Sequence, residues 1–177
     1  MPASQMTGLD PSTDSILQIF CFVTDHNLNL IDREGWGTFV HHPKPVLDAM
    51  GEWCTRTHAS TGLTEAVLAS EVTPEQAASG LLRYILTHVP EAGKALLAGN
   101  TVHADRAFLS KPPYDRVLAY LHYRIFDVST IKEATRRWGS DKMLQQIPRK
   151  KGLHEARQDI LESIEEARYY QKALFSN

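Results

Sequence analysis

The sequence predicts one layered domain of the α/β or α+β class, spanning residues 1–177. Two observations support this prediction. Segments rich in β-forming residues fill much of the first forty positions, and segments with helical periodicity then alternate with short apolar ones. The chain is long enough to bury a sizeable core, and its hydrophobic content of 42% is typical of globular proteins.

The N-terminal part of the chain is predicted to be mostly strand. Residues 15–24 are rich in isoleucine, phenylalanine, valine and threonine, which favours a largely buried strand. Residues 25–27 indicate a turn. Residues 28–40 then continue as a second, more polar strand region with breaks at Gly35 and Gly37.

Helical periodicity begins after this region. Apolar residues at helical spacing run from Val46 to Trp53, and Pro45 suits the first turn of such a helix. Thr73 and Gln76 form a capping-box pattern in front of a second amphipathic segment. We therefore expect two helices before residue 90.

The second half of the chain alternates short strands with helices. We expect a strand over 95–98 that ends at Gly99, and then a helix over 105–109 that the prolines at 112–113 break. A short helix toward Leu121 and a strand over 123–128 follow. A capping box at 130–133 opens a helix that ends at Trp138, and a helix over 153–174 closes the chain.

Charge and cysteine content restrict the functional classes. The formal net charge of −2 argues against a broad basic surface, so any bound nucleic acid should be short and held locally. Cys21 and Cys54 lie among apolar or aromatic residues, which favours buried free thiols in a reducing compartment, with one disulfide as the alternative. No apolar run approaches about 18 residues, and no signal-peptide or Arg-rich transit pattern begins the chain. We expect no membrane partner and an intracellular location, in the cytoplasm or the mitochondrion.

Three residues carry a pattern suited to metal-dependent phosphodiester cleavage. Asp105 closely follows the strand ending at Gly99, and sites in open α/β sheets gather at such strand ends. His154 and Asp159 would diverge by about 140° on one helix, so they converge best if His154 lies on a loop after Gly152. Carboxylates hold divalent cations, and an imidazole accepts a proton from water near neutral pH. Taken singly, each of the three would be interpreted as an ordinary surface residue rather than as part of a site.

Five ordered blocks of sequence add a more specific indication. They are Met6-Thr7-Gly8-Leu9-Asp10, Met50-Gly51-Glu52-Trp53 with Arg56-Thr57-His58, Gly99-Asn100 with Asp105-Arg106 and Phe108-Leu109, His122-Tyr123-Arg124 with Asp127-Val128-Ser129-Thr130, and His154 with Asp159. In this order they resemble the oligoribonucleases of the DEDDh exonuclease family. The resemblance implies a ribonuclease H-like mixed sheet flanked by helices, a homodimer, and two divalent cations, Mg²⁺ or Mn²⁺. It also implies stepwise 3′→5′ hydrolysis of short single-stranded RNA.

The same resemblance implies a role for individual residues. Asp105 and Asp159 would be metal ligands, and His154 would be the general base. The residues implied in substrate binding are Leu9, Trp53, His58, Asn100, Thr101, Tyr123, Arg124 and Ser129. Of these, Tyr123, Arg124 and Ser129 resemble a segment at the dimer interface.

The N-terminus departs from the family pattern. Ala3 and Gln5 occupy the positions of the family's first acidic pair, and only Met1 and Pro2 precede them. We therefore expect the first central strand to be largely missing and the activity to be impaired, because neither residue offers a carboxylate to a hard cation. The abrupt loss suggests a truncated or alternative gene product. The alternative function is an inactive homologue that binds short RNA or pairs with an intact subunit.

Overall fold

The computed structural model describes residues 1–149, 152 and 155–175. The strands are β1 (Pro2–Met6), β2 (Ile16–Cys21), β3 (Trp36–Phe39), β4 (Leu96–Gly99) and β5 (His122–Asp127). The helices are α1 (Lys44–Asp48), α2 (Glu52–Ser60), α3 (Leu63–Ala69), α4 (Pro74–His88), α5 (Val102–Leu109), α6 (Asp115–Tyr120), α7 (Val128–Trp138), α8 (Asp141–Gln145) and α9 (Ala156–Phe175). This mixed α/β architecture confirms the predicted class.

The strands form two small sheets. β1, β2 and β3 make an antiparallel sheet in that order, and β4 pairs with β5 in parallel. β1 also contacts β4, and a Cβ placed on Gly99 would lie 3.6 Å from the carbonyl oxygen of Pro2. β1 therefore lies between β2 and β4.

The expectation that the first strand is largely missing is not confirmed. Residues 2–6 form a strand whose register runs from Pro2 opposite Cys21 to Met6 opposite Ile16, with one irregularity after Gln5. This pairing forms because β2 offers a complete antiparallel edge, so even a short segment can satisfy its backbone groups there.

Helix α4 begins at a capping box and packs its apolar face into the core. Thr73 Oγ1 accepts from the Gln76 N–H at 3.2 Å, and Gln76 Oε1 accepts from the Thr73 N–H at 2.8 Å, which confirms the predicted capping box. The buried face of α4, at Ala77, Ala78, Leu81 and Ile85, packs into the main core cluster. This helix thereby covers one face of the sheets.

Several predicted boundaries were wrong. The strand expected over 28–40 is reduced to β3, and the helix expected from Val46 to Trp53 is interrupted before Gly51, which caps α2. Helix α7 begins at Val128 rather than at residue 130, because the Asp127 side chain accepts from the Ser129 N–H at 2.9 Å. Such a cap satisfies an otherwise unpaired amide, and it takes precedence over the capping-box pattern at 130–133.

The thiols agree with one further expectation. Cys21 is buried and Cys54 is partly buried, and both are free thiols whose pKa is raised by burial. None of the helices in the described ranges has the length and apolar character of a membrane-spanning segment.

Candidate functional site

A cavity of about 290 Å³ opens where β1, the end of β4, α5 and the first turns of α9 meet. Its walls include Asp105 and Asp159, together with Ala3 and Gln5. Ala3 and Gln5 share one side of β1 because strand side chains alternate between faces. The structure therefore brings the two aspartates to the positions where the sequence lacks its acidic pair.

Asp105 lies in the first turn of α5, against the backbone of β1. Its Oδ1 accepts a hydrogen bond of 3.0 Å from the Ser4 N–H. Burial raises the pKa of Asp105 to about 6, although the hydrogen bonds from Ser4 favour the ionised carboxylate. The negative charge of Asp127 raises this pKa further. The pairing with Ser4 was not predicted, because a backbone N–H has no signature in the sequence.

Asp159 lies in the first turn of α9 and faces the side chain of Gln5. The Gln5 Nε2 amide donates to Asp159 Oδ2 over 3.3 Å. A glutamate at position 5 could only repel this carboxylate unless a cation or a proton lay between them. Gln5 therefore converts a carboxylate pair into a donor–acceptor pair that is stable without a cation.

A buried hydrogen-bond network around Glu166 holds Asn100, in the loop between β4 and α5. Glu166, on α9, is fully buried and forms an ion pair with Lys132 at 3.2 Å. It also accepts hydrogen bonds from Tyr170 Oη at 3.1 Å and from Asn100 Nδ2 at 3.0 Å. Glu166 on α9 thus holds the side-chain amide of Asn100 in place. The sequence could have indicated this residue, because Glu166 follows Asp159 by seven positions and shares a helix face with it.

Thr101 begins α5 in the left-handed conformation, with φ of 54°. Its N–H lies 3.0 Å from both Asp127 Oδ1 and Ser129 Oγ. Asn100 Nδ2 reaches the same hydroxyl at 3.3 Å. Asn100, Thr101 and Ser129, which the sequence placed in substrate binding, therefore form one cluster beside the cavity.

Of the other residues expected to bind substrate, His58 is buried, whereas Leu9 and Trp53 are exposed. His58 is buried, and its Nε2 lies 2.9 Å from the Met6 carbonyl oxygen, so it anchors the end of β1 rather than lining an open pocket. Leu9, just after β1, is 84% exposed, and Trp53 on α2 is 53% exposed. The His58 contact ties α2, which carries Trp53, to the end of β1, which Leu9 follows.

Tyr123 and Arg124 lie apart from the cavity within one chain. They occupy the start of β5, whereas Asp127, beside Thr101, ends the same strand. Tyr123 is 71% exposed, and the Arg124 guanidinium lies 4.9 Å from its ring centre. Among the described strands, β5 pairs only with β4, so its outer edge is open.

Among the described residues, the acidic side chains that line the cavity are Asp105, Asp159 and Glu162. His154 lies outside the described residues, so its position relative to Asp159 is not specified. Within the described ranges, no group of three or more His, Cys, Asp or Glu side chains is arranged to hold a metal ion. Hard cations need several oxygen ligands, and Asp105 and Asp159 each accept a hydrogen bond from β1 instead.

Comparisons with known proteins agree on one family. A family model described as Exonuclease (RNase_T) matches residues 6–167. The oligoribonuclease of Vibrio cholerae serotype O1 is 44% identical over 171 residues, covering 97% of this chain and 92% of that protein. The mitochondrial oligoribonuclease of Mus musculus is 42% identical over 171 residues, covering 97% of this chain and 70% of that protein. The Mg²⁺- and Mn²⁺-bound structure of S. pombe Pop2p shares the fold, with a TM-score of 0.67 at 12% identity over 99% of this chain and 83% of that one.

Proposed function

Because the chain belongs to the oligoribonuclease family of RNase_T exonucleases, we propose that it is a 3′→5′ exoribonuclease for short RNA whose hydrolytic step is impaired. The hydrogen bond between Gln5 and Asp159 supports the proposed impairment of hydrolysis. The homologous oligoribonucleases of Vibrio cholerae and Mus musculus support the proposed exoribonuclease activity. An intracellular location, in the cytoplasm or the mitochondrion, belongs to the same proposal.

The impairment follows from charge and ligand number. Hydrolysis by two metal ions needs both cations about 3.5–4 Å apart, so that one activates water and the other stabilises the leaving oxygen. Among the described residues that line the cavity, Asp105, Asp159 and Glu162 supply at most three negative charges against four positive ones, and both aspartates already accept hydrogen bonds from β1. A general base at His154 contributes only about 10²–10⁴-fold by itself. Turnover should therefore be very slow.

The direct test is cleavage of a labelled dinucleotide by the pure chain, with Mg²⁺ or Mn²⁺ in the buffer. We expect binding by calorimetry but little or no product over hours. Rapid cleavage that the His154→Ala variant abolishes would contradict the proposed impairment. Absence of both binding and cleavage would contradict the substrate assignment.

We propose that the chain still binds short RNA although its hydrolytic step is impaired, because the groups suited to base stacking and phosphate binding are present. Leu9 and Trp53 are exposed, and the Arg124 guanidinium suits a bidentate contact with phosphate. Thr101 and Ser129 present hydroxyls 3.3 Å apart at the start of α5. The retained groups thus match a short, locally held oligonucleotide.

Replacing Trp53 with alanine should weaken dinucleotide binding by about tenfold or more, since stacking on an aromatic ring contributes roughly 1–3 kcal/mol per base. Calorimetric titration measures the change. The matched control is Trp138→Ala, because Trp138 is 83% exposed on α7, outside the proposed binding surface. Equal affinities of the Trp53→Ala variant and the unmodified chain would show that Trp53 does not stack on the bound dinucleotide.

A homodimer is proposed from the open edge of β5. Tyr123 and Arg124 lie on this edge, and pairing two copies by a twofold axis would cover the exposed ring. Light scattering should give about 40 kDa, twice the chain mass of 19.9 kDa. The Tyr123→Glu variant should shift the mass toward the monomer. A monomer mass for the unmodified chain at micromolar concentration would contradict the dimer.

The Gln5–Asp159 pairing also favours a second candidate, an inactive homologue that docks short RNA or pairs with an intact subunit. The two functions differ in their dependence on cations. An inactive binding protein should hold a dinucleotide equally well in EDTA and in Mg²⁺, whereas an impaired enzyme should bind more tightly with Mg²⁺.

A further inference from the structure

Asp127 joins the starts of two helices beside the cavity. It is the last residue of β5, and only 10% of its side chain is exposed. Its Oδ1 atom accepts hydrogen bonds from the Thr101 N–H at 3.0 Å and from the Ser129 N–H at 2.9 Å, and its Oδ2 atom lies 3.4 Å from His103 Nδ1. Thr101 is the N-cap of α5, and Ser129 lies in the first turn of α7. One carboxylate oxygen therefore holds together two residues that are 28 positions apart.

The Ser129 hydroxyl has both of its acceptor positions occupied. Its Oγ atom lies 3.0 Å from the Thr101 backbone nitrogen and 3.3 Å from Asn100 Nδ2, and both of these groups can only donate. The Asn100 amide is held in this orientation, because its Nδ2 also donates to the buried carboxylate of Glu166 at 3.0 Å. A hydroxyl oxygen has two lone pairs, so Ser129 can engage a further partner only by donating its own hydrogen.

This count of donors and acceptors sets the direction of the hydroxyl pair. Thr101 Oγ1 lies 3.3 Å from Ser129 Oγ, and by distance alone either atom could be the donor. Because Ser129 can only donate, its hydrogen is directed to Thr101 Oγ1 or to a ligand, and the hydrogen of the exposed Thr101 hydroxyl is left for an external acceptor. A phosphate group offers three strong acceptor oxygens. The pair therefore presents donors that suit phosphate.

We propose that Asp127 is a positioning residue for RNA binding, which holds Thr101 and Ser129 so that both hydroxyls donate to one phosphate group. This inference rests on the proposed binding of short RNA. A carboxylate repels phosphate, so Asp127 acts through the two residues that it holds and not by contact with the ligand.

The place of this phosphate in the RNA follows from the helix. Thr101 precedes Asp105 by four positions, which is about one helical turn or 6 Å along α5. With the bond to be hydrolysed at Asp105, a phosphate at Thr101 belongs to the neighbouring nucleotide. Hydrolysis in the 3′→5′ direction needs a free 3′ end, so in a dinucleotide this second phosphate is the one on the 5′ end.

The test compares two dinucleotides, one with and one without a 5′-terminal phosphate, in calorimetric titrations of the full chain. The phosphate should tighten binding to the unmodified chain by about tenfold or more, because hydrogen bonds to a charged group are strong. In Asp127→Ala this gain should fall to about twofold or less, whereas the affinity for the dinucleotide without the phosphate should change little. Asp127→Asn keeps an Oδ1 acceptor for both N–H groups and should preserve the gain.

Thr73→Ala is the matched control for stability. Asp127 and Thr73 each cap a helix through a side-chain oxygen, and Thr73 caps α4, apart from the residues proposed to bind RNA. This control should lose stability by a similar amount and leave the gain from the phosphate unchanged. Hydrogen exchange of the Ser129 amide should become about tenfold faster in Asp127→Ala but not in Asp127→Asn.

Three results would overturn the inference. Equal losses of affinity for the two dinucleotides in Asp127→Ala would show a purely structural role. Loss of the gain in Asp127→Asn as well would show that the Oδ1 acceptor is not what positions the hydroxyls. Equal binding of the two dinucleotides by the unmodified chain would show that the hydroxyl pair does not bind phosphate, and it would leave the proposed binding of short RNA intact. Failure of both dinucleotides to bind would contradict that proposed function and this inference with it.

Discussion

Replacing Ala3 with aspartate and Gln5 with glutamate should make the stability and the activity of this chain depend on a divalent cation. Both positions face the cavity that contains Asp105 and Asp159. The double substitution removes the amide that donates to Asp159 and adds two carboxylates to a cavity that already contains Asp105, Asp159 and Glu162. In EDTA the repulsion should lower the melting temperature below that of the unmodified chain. Added Mg²⁺ or Mn²⁺ should raise it again, because a ligand that binds only the folded state stabilises it.

The same double substitution should increase dinucleotide cleavage by about a hundredfold or more, the size of effect that electrostatic stabilisation of a transition state supplies. The pairing of residues 2–6 with β2 holds both substituted positions in the sheet, as this gain requires.

Two variants control this experiment. Adding His154→Ala to the double variant should abolish the gain while preserving cation-dependent melting. Gln5→Glu alone should bind a cation more weakly than the double variant, since it restores one ligand only. A double variant that melts identically in EDTA and Mg²⁺ would show that these four positions do not form a cation site.

Replacing Lys132 with methionine should lower the free energy of unfolding by about 2–4 kcal/mol. Glu166 is fully buried, and loss of the ion pair at 3.2 Å leaves its charge without its cationic partner. Breaking a buried pair from one side costs about 3–5 kcal/mol, and the partial exposure of Lys132 reduces that figure. Methionine keeps most of the aliphatic stem, so the change isolates the charge. Urea denaturation measures the loss.

A surface pair provides the matched control for Lys132→Met. Arg137 lies 2.6 Å from Glu133 on the same helix, and both side chains are largely exposed. Arg137→Ala should therefore cost no more than about 1 kcal/mol. The double variant Lys132→Met with Glu166→Gln should regain most of the lost stability, because a neutral amide needs no counter-charge. A loss below about 1 kcal/mol in Lys132→Met would show that Asn100 and Tyr170 suffice to hold Glu166.

Local sequence predicted the elements whose stability is itself local. The Thr73–Gln76 capping box and the apolar spacing behind it define α4 within one stretch of chain, and the strand ending at Gly99 was also found. Prediction failed where a tertiary contact or a competing cap decided the boundary. The start of α7 depends on whether the Asp127 side chain turns toward Ser129, which the pattern at 130–133 did not show.

The sequence by itself determined the family, through five ordered blocks, and it predicted Asp105 and Asp159 as metal ligands, with Ala3 and Gln5 in place of an acidic pair. Only the tertiary structure decided what these residues do to one another. Gln5 and Asp159 are 154 positions apart, and their hydrogen bond exists because the β1–β2 register places position 5 beside the first turn of α9. The Ser4 contact with Asp105 involves a backbone group. Every residue type except proline carries the same N–H and C=O, so only the fold can determine which of them meet a partner.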